Sequence, residues 1–344
     1  MKALVKTQPG PGHLCLLQIP EPRPEPGQAK IRVTDAGVCG TDVHILQGTH
    51  LVQTPLVLGH ELSGVVVDLG PDVTGLSIGM RVTTETDAYV CGSCTYCRSG
   101  NEHLCPQRKA IGTTADGGFA EYLVIRAASV HPLPPGVGLA AGALSEPLAV
   151  AVHAVTERGQ AQVGEVVVVV GPGTVGLLAA QVARAAGARV VLAGLERHTE
   201  RFRLAHALGI EETILLDSAD PYRRIFDLTD GLGADKVIEC SGSPEAIDHG
   251  IQLLRKGGTL VAVGFSGKQQ IPMDTDLLIN KEISLLASRG KRHTCWPTAL
   301  SLLGSGEVGT EPLITHRFPL EEWSAALAKA AEHGTKVVME VARQ

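Results

Sequence analysis

The sequence lacks the marks of several large protein classes. None of its apolar runs approaches the length of a membrane-spanning helix. Residues 1–7 contain no apolar core of the kind that a secretory signal peptide carries. Acidic residues outnumber basic ones by 36 to 30, and the net charge of -6 argues against a general nucleic-acid-binding protein. Sequence repeats and low-complexity tracts are absent too. We therefore expect a globular cytoplasmic protein whose partners are neither membranes nor nucleic acids.

The length and the cysteine content narrow the class further. A chain of 344 residues is long for one hydrophobic core, so two domains are expected. In the reducing cytoplasm its 8 cysteines are expected to be metal ligands or plain thiols rather than disulfide partners.

The most informative stretch begins with consecutive valines at residues 166–170. Such a run is typical of a strand that is buried on both faces. It leads into a Gly-x-Gly-x-x-Gly turn made of Gly171, Pro172, Gly173, Thr174, Val175 and Gly176. A helix-forming segment at 177–186 and a second apolar run at 188–193 complete a strand–helix–strand unit. The glycines let the backbone approach a pyrophosphate at the start of the helix, so this unit predicts a dinucleotide site.

Predicted strands and helices continue to alternate after this unit. Short apolar runs at 213–216, 235–239, 259–263 and 283–286 are separated by helical stretches. Alternating strands and helices predict a doubly wound parallel sheet.

A candidate metal site lies in the first part of the chain, which is otherwise predicted to form short strands. Cys39, His60 and Glu61 offer a thiolate, an imidazole and a carboxylate within a short span. This ligand set suits one Zn²⁺. Asp42 has two interpretations: it orients the His60 imidazole, or it is a carboxylate at a helix N-terminus.

A second candidate metal site consists of cysteines alone. Cys91, Cys94, Cys97 and Cys105 have the number and spacing of a tetrahedral zinc site in which every ligand is a thiolate. Such a site has no open coordination position, so the metal is expected to be structural. The alternative, a pair of disulfides, is disfavoured in a reducing compartment.

Residues 140–156 are predicted to form a helix that contains Glu146 and Pro147. The composition then shifts towards alanine and valine, which places a domain boundary near residue 150. The chain is expected to return to the first domain near residue 290. The predicted domains are therefore 1–150 with 290–344, and 151–289.

In this order the motifs resemble the zinc-containing medium-chain alcohol dehydrogenase family over nearly the whole chain, and most of all its sorbitol (polyol) dehydrogenase branch. The motifs are residues 37–44, residues 59–61, the four cysteines, Glu146-Pro147 and the glycine turn. The resemblance implies an α/β protein with a GroES-like, β-rich catalytic domain and a Rossmann domain. It also implies a homo-oligomer, either a tetramer or a dimer.

The resemblance implies roles for individual residues as well. Cys39, His60 and Glu61 match ligands of a catalytic zinc. Glu146 occupies a position where many alcohol dehydrogenases have a cysteine ligand, and this difference favours the polyol branch. The other interpretation of Glu146, a carboxylate at the start of a helix, stays open.

Thr41 and His44 match the hydroxyl and the imidazole of the family's proton relay. The alternative interpretation of His44 is a surface histidine. The implied reaction moves a hydride from the alcohol carbon to a nicotinamide ring, while zinc acts as a Lewis acid.

The sequence departs from the family at the ribose end of the cofactor. The NAD fingerprint requires an acidic residue at the end of the second strand, and Gly194 occupies that position. Glu196 is the acidic residue that could bind the 2′-hydroxyl of NAD. Arg197 and His198 would instead suit the 2′-phosphate of NADP. NAD is expected, with NADP as the alternative.

Four further residues are predicted to contact the nicotinamide half of the cofactor. Cys240, Val263, Ser288 and Arg289 fall where strands of the second domain end.

The predicted function is a zinc- and NAD(P)-dependent dehydrogenase of polyols or secondary alcohols. An L-threonine 3-dehydrogenase is the alternative within enzymes, and a non-catalytic nucleotide-binding sensor is the alternative from another class.

Overall fold

The structure is a computed structural model that describes residues 1–332 and 336–342. The chain divides into two compact units. Unit 1 comprises Met1–Glu146, Arg292–Gly304 and Thr310–Gln344, of which 333–335 and 343–344 lie outside the described residues. Unit 2 comprises Pro147–Lys291 and Ser305–Gly309.

The strands, in chain order, are β1 (Lys2–Lys6), β2 (Leu14–Gln18), β3 (Gln28–Gly37), β4 (Leu56–Val57), β5 (Glu61–Leu69), β6 (Arg81–Thr84), β7 (Asp87–Tyr89), β8 (Lys109–Ala110), β9 (Tyr122–Arg126), β10 (Val130–Pro132), β11 (Val166–Val170), β12 (Arg189–Gly194), β13 (Glu212–Leu215), β14 (Ala234–Glu239), β15 (Leu254–Ala262), β16 (Ser284–Ala287), β17 (His316–Pro319) and β18 (Val337–Glu340).

The α-helices are α1 (Gly40–Gln47), α2 (Thr95–Arg98), α3 (Leu139–Ala143), α4 (Ser145–Val152), α5 (Thr174–Ala185), α6 (Thr199–Ala207), α7 (Arg223–Leu228), α8 (Pro244–Leu253), α9 (Thr275–Asn280), α10 (Cys295–Ser305) and α11 (Trp323–Ala330).

Unit 1 is built mainly from antiparallel strands around β3. Its largest sheet has the order β10-β6-β5-β3-β18-β17, and β9 also pairs with β3. Alternate side chains of β3, such as Ile31 and Val33, are fully buried in the core. At the end of β3, Gly37 lies opposite Glu61 of β5 and opposite Val338 of β18. Three distant segments therefore meet beside Gly37.

Unit 2 contains the predicted parallel sheet. Its six strands have the order β13-β12-β11-β14-β15-β16, and every pair is parallel. This is the order of a dinucleotide-binding Rossmann sheet. All residues of β11 are buried, as the run of valines predicts for a central strand with helices on both faces. The predicted fold class is confirmed.

The predicted helical segment at 140–156 is confirmed, with a single interruption at Leu144. The chain forms α3, then α4, and continues as a π-helical segment over His153–Arg158. Pro147 has no N–H to donate to the carbonyl of Ala143, so one helix cannot run through both residues. Pro147 instead lies in the first turn of α4, where that N–H is not needed.

In the part of the chain that the structure describes, no α-helix combines the length and the apolar character that crossing a membrane requires.

The close approach of α5 to β11 gives a first testable prediction. A Cβ added to Gly176 would lie 1.9 Å from the carbonyl oxygen of Gly171. We expect Gly176→Ala to lower the free energy of unfolding by about 1–3 kcal/mol, because backbone must move to admit the methyl group. Urea denaturation of the two proteins measures the difference.

Gly173→Ala is the matched control within the same turn. A Cβ on Gly173 meets no atom within 4 Å, and its φ of -73° suits alanine. Equal denaturation midpoints for Gly176→Ala and Gly173→Ala would contradict the packing argument.

Candidate functional site

The first part of the site is the N-terminus of α1. Cys39 is the N-cap residue and has an extended backbone, with φ -100° and ψ 156°. Its N–H donates a hydrogen bond of 2.9 Å to Oδ2 of Asp42, three residues later. This capping contact fixes the turn from which the Cys39 side chain projects.

The second part comes from the start of β5. Glu61 is 2% exposed and His60 is 9% exposed. The Glu61 carboxylate lies over Gly37, where an added Cβ would be 2.2 Å from Oε2. Gly37 is therefore needed for the position of Glu61, a requirement that sequence patterns alone did not indicate.

These two parts bring three potential ligands together. One ligand atom each from Cys39, His60 and Glu61 lies within 4.8 Å of the other two. A thiolate, an imidazole and a carboxylate at this spacing fit a zinc ion. The sequence predicted this cluster residue by residue.

The charges of the cluster also fit a bound cation. Burial alone lowers the pKa of His60, but the neighbouring Cys39, followed by Asp42 and Glu146, outweighs it and raises the pKa to about 10. The surroundings of His60 thus strongly favour a positive charge, which a divalent metal ion supplies.

Both interpretations of Asp42 find support in the structure. Its Oδ2 caps α1, and its Oδ1 lies 3.9 Å from Nδ1 of His60. That distance is too long for a hydrogen bond, and both atoms are buried without a hydrogen-bond partner. Burial raises the pKa of Asp42, although His60 opposes the shift. A small closing movement would let Asp42 orient the imidazole of a metal-bound His60.

Lys336 is a component that sequence reasoning missed. It is 3% exposed, and its Nζ donates to the carbonyl oxygen of Val38 at 3.0 Å and to Oε2 of Glu61. Burial lowers the pKa of Lys336, but Glu61 and Cys39 outweigh it, so the pKa is raised and the lysine is charged. A lysine directly before the apolar residues of β18 was the available signal.

Glu146 lies near the cluster but stands outside the set whose ligand atoms are within 4.8 Å of one another. It is 7% exposed and lies in the first turn of α4. Its charge raises the pKa values of both His60 and Lys336. Its electrostatic influence on the cluster is therefore clear, whereas zinc ligation by Glu146 stays a prediction.

The two residues of the predicted proton relay lie on α1. Oγ1 of Thr41 is 3.7 Å from Sγ of Cys39, so this hydroxyl borders the metal cluster. His44 is exposed, and its Nδ1 is 3.3 Å from Oγ1 of Thr49. The hydroxyl therefore lies at the cluster and the imidazole lies at the protein surface.

The four cysteines form a separate cluster around α2. The Sγ atoms of Cys94 and Cys97 are 3.5 Å apart, and those of Cys91 and Cys97 are 3.9 Å apart. Zn–S bonds of about 2.3 Å at tetrahedral angles require about 3.8 Å. None of these cysteines is in a disulfide, and one Sγ from each of the four lies within 4.8 Å of the others.

Backbone N–H groups donate hydrogen bonds to two sulfur atoms of this cluster. N–H groups of Ser93 and Cys94 donate to Cys91 and lower the pKa of its thiol to about 6. The N–H of Cys97 similarly donates to Sγ of Cys94 at 3.5 Å. The Cys91 thiol is therefore a ready ligand, whereas burial and the neighbouring Cys94 raise the pKa of Cys97 to about 12. The number and spacing of the four sulfur atoms fit the structural zinc that the sequence predicts.

The glycine turn of unit 2 has the geometry of a phosphate-binding loop. Gly171 has φ +99°, a conformation that side chains rarely adopt, and an added Cβ would meet Ser241 at 2.7 Å. Gly173 is the N-cap of α5, and Thr174, Val175 and Gly176 form its first turn. Pro172 lies between the two glycines. The free N–H groups at the start of α5 are suited to bind a pyrophosphate.

Gly194, at the position where the family usually has an acidic residue, is tightly packed. An added Cβ would lie 2.9 Å from both Phe202 and Pro172. Glu196 and Arg197, both exposed, follow it in a short 3-10 turn with His198. The N–H of Glu196 donates to the carboxylate of Asp217 at 3.1 Å. The sequence did not single out Asp217.

The four residues predicted for the nicotinamide half all follow carboxyl ends of parallel strands. The N–H of Cys240 donates to Val170, that of Val263 to Glu239, and that of Ser288 to Ala262, each at 2.8 Å. Arg289 follows Ser288 after β16. Parallel strands bring these ends to one edge of the sheet, the edge that carries the glycine turn.

Glu239 is a further residue that the sequence did not single out. It is 1% exposed, and its Oε1 accepts hydrogen bonds from the N–H and hydroxyl of Ser241 and from the N–H of Gly242. Burial raises its pKa, against these hydrogen bonds. This carboxylate shapes the turn that follows β14.

The chain matches two family models. Residues 25–135 match the alcohol dehydrogenase GroES-like domain, and residues 174–305 match the zinc-binding dehydrogenase domain.

Similar proteins share these domains. A sorbitol dehydrogenase from Halalkalibacterium halodurans is 44% identical over 95% of this chain and 95% of its own. A D-arabitol-phosphate dehydrogenase from Enterococcus avium is 36% identical over 98% of this chain and 97% of its own. A zinc-binding dehydrogenase from Sinorhizobium meliloti 1021, solved with bound NADP, has a TM-score of 0.91 at 31% identity and covers 98% of each chain.

Since the domain models, the relatives and both metal-binding clusters agree, this chain belongs to the zinc-binding alcohol dehydrogenase family and is a zinc- and NAD(P)-dependent oxidoreductase.

Proposed function

We propose that this dehydrogenase oxidises polyols, or related secondary alcohols, at the cluster of Cys39, His60 and Glu61. The observation that carries the proposal is the convergence of these three ligand atoms within 4.8 Å. The relatives named for sorbitol and D-arabitol phosphate support polyols as the substrate class.

The roles of the residues follow from their positions. A zinc ion bound there supplies a Lewis acid for the substrate oxygen, and the nicotinamide accepts the hydride. Cys39 and His60 hold the metal, and Asp42 orients His60. Lys336 positions Glu61 by a charged hydrogen bond, and Glu61 would be the third ligand of the metal.

The proton leaves from the buried cluster towards solvent. The Thr41 hydroxyl borders Cys39 and can accept the alcohol proton. His44, exposed on the same helix, holds the proton at the protein surface. With a nicotinamide cofactor bound, Thr41 and His44 would be the inner and outer groups of the proposed relay.

The carboxylates support polyols as the proposed substrates. Carboxylates are harder and weaker zinc donors than thiolate, so Glu61 and Glu146 would hold a zinc ion less tightly than a cysteine would. Two adjacent hydroxyls of a polyol can then both reach the metal.

NAD is the proposed cofactor, with NADP as the alternative. Glu196 is the acidic residue closest in sequence to Gly194 and would bind the ribose 2′-hydroxyl. We propose contacts to the cofactor by the glycine turn and by Cys240, Val263, Ser288 and Arg289.

The domains proposed from the sequence, 1–150 with 290–344 and 151–289, are supported by a similar division into compact units. We also propose a homo-oligomer, a dimer or a tetramer, as the family resemblance implies. A cytoplasmic location is supported by the 8 cysteines, all of which are free thiols.

An L-threonine 3-dehydrogenase is the second candidate function. A side-by-side assay of L-threonine, sorbitol, xylitol and 2,3-butanediol distinguishes it from a polyol dehydrogenase.

Glu146→Gln tests the chelation argument. This change keeps the shape of the side chain and removes its charge. We expect kcat/KM for vicinal diols to fall by about tenfold, equivalent to about 1.4 kcal/mol, and by less for simple secondary alcohols. Steady-state kinetics on both substrate classes measure the difference.

Glu25→Gln, an exposed glutamate in the same unit, is the control for a lost charge. An equal loss on both substrate classes would remove the chelation argument, and unchanged activity would remove Glu146 from the site.

Cys91→Ser tests the structural zinc. We expect this variant to lose one zinc per chain and to have a Tm lower by at least about 5 °C, because a structural zinc contributes directly to folding free energy. Metal analysis and thermal unfolding measure the two effects.

Cys15→Ser is the matched control, since Cys15 is an exposed thiol on β2 and lies outside the four-cysteine cluster. Full zinc content and an unchanged Tm in Cys91→Ser would rule out the proposed site.

Glu196→Ala tests cofactor choice. We expect the wild-type protein to have a higher kcat/KM with NAD than with NADP. Loss of the carboxylate should reduce that preference by about tenfold, or about 1.4 kcal/mol. The ratio of kcat/KM values with the two cofactors is the measurement.

Glu200→Ala provides the comparison, because Glu200 is exposed on α6 and pairs with Arg203. A wild-type preference of tenfold for NADP would instead assign the 2′ pocket to Arg197 or His198.

A further inference from the structure

Unit 1 contains a third cluster of potential metal ligands that the dehydrogenase chemistry does not use. Glu85 directly follows β6, and His131 lies on β10, where it pairs with Thr83 of β6. His293 lies two residues before the start of α10. Two adjacent strands and a distant segment thus contribute one residue each.

The three side chains converge on one oxygen atom. Oε1 of Glu85 is 2.8 Å from Nε2 of His131 and 2.5 Å from Nδ1 of His293. One ligand atom from each residue lies within 4.8 Å of the other two.

Two of the three residues are held rigidly. The His131 ring stacks on the buried Trp296 ring, with centroids 5.0 Å apart and an interplanar angle of 6°. Glu85 is 2% exposed, and its N–H donates to the carbonyl oxygen of Ser129 at 2.8 Å. The His293 side chain, in contrast, is 55% exposed, so the cluster opens to solvent.

The charges suit a cation. Burial alone raises the pKa of Glu85, but the hydrogen bonds from His131 and His293 outweigh it and lower the pKa to about 2. Glu85 is therefore an anion buried beside two imidazoles. The nearby Arg126 and Glu102 form an ion pair of 3.0 Å and largely offset each other.

We propose that Glu85, His131 and His293 bind a third divalent transition-metal ion of the zinc class, in addition to the two zinc ions of the family. Two imidazoles and one carboxylate form a ligand set that zinc accepts with an open position for water. The exposed side of His293 is where this water would bind.

Only a small rearrangement is needed to admit the ion. Zn–N and Zn–O bonds of about 2.0–2.1 Å at tetrahedral angles separate ligand atoms by about 3.3 Å. The present separations of 2.8 and 2.5 Å must therefore widen by less than about 1 Å. The exposed His293 can move, while stacking keeps His131 in place.

The bound ion would fasten the segment before α10 to the edge formed by β6 and β10. Arg292, beside His293, also donates to the carbonyl oxygen of Gly100 at 3.0 Å. The site contains no cysteine and does not rest on the proposed substrate, so it can be tested apart from the dehydrogenase reaction.

Cobalt titration of the zinc-loaded, full-length protein tests the proposal. Co²⁺ at this site would have only nitrogen and oxygen ligands, whereas Co²⁺ that replaces zinc at either cysteine-containing site has thiolate ligands and the associated charge-transfer absorption. We expect one Co²⁺ per chain to bind with d–d absorption and no thiolate charge-transfer band. His293→Gln should weaken this binding by more than about 100-fold, since it removes a direct ligand.

His50→Gln, another exposed histidine of unit 1, is the matched control. Glu85→Gln is the second ligand variant, and circular dichroism together with retained dehydrogenase activity establishes that the variants are folded. Loss of cobalt binding in both ligand variants but not in His50→Gln supports the site. Absence of thiolate-free cobalt binding in the wild-type protein, or unchanged binding in folded His293→Gln, would overturn the proposal and leave a hydrogen-bonded ion pair only.

Discussion

The register of the strands around β3 is the constraint on which the metal cluster depends. Gly37 lies opposite Glu61 on one side and opposite Val338 on the other. Because side chains alternate between the faces of a sheet, a shift of one residue in either pairing would turn Glu61 or the segment containing Lys336 away from Cys39. Gly37 also leaves the space that the Glu61 carboxylate occupies.

Charge compensation in this cluster is mutual. Glu61 and Lys336 are both nearly fully buried, and either one alone would be a costly unpaired charge. Because the charges of Glu61 and Lys336 offset each other, the charges that remain beside His60 are those of Cys39, Asp42 and Glu146. A metal ion at His60 would balance these charges, so the buried pair leaves the site suited to a cation.

In unit 2, the glycine turn and the position of Gly194 are coupled through packing. Gly194 contacts Pro172 of the glycine turn so closely that a side chain at 194 would displace it. An acidic residue cannot occupy that position without moving the phosphate-binding turn. We therefore propose that the exposed turn at Glu196–His198 makes the choice between a 2′-hydroxyl and a 2′-phosphate.

The sequence by itself determined the features whose residues lie close together along the chain. Valines followed by spaced glycines encode a buried strand and a tight turn into α5, and four cysteines within residues 91–105 encode their own cluster. The metal ligands at Cys39 and at His60–Glu61 could also be predicted, because each of the two motifs carries a recognisable ligand pattern. The helical segment predicted at 140–156 is interrupted only at Leu144, because Pro147 has no N–H with which to continue the hydrogen bonding of α3.

Tertiary structure alone decided the contacts between residues that are far apart in sequence. Lys336 reaches Glu61 across 275 residues, and His293 reaches Glu85 across 208. No local pattern encodes such a pairing, since it depends on the register of several strands and on where the chain returns to unit 1. Local backbone preferences determine the elements, whereas burial and charge compensation between distant segments determine which side chains meet.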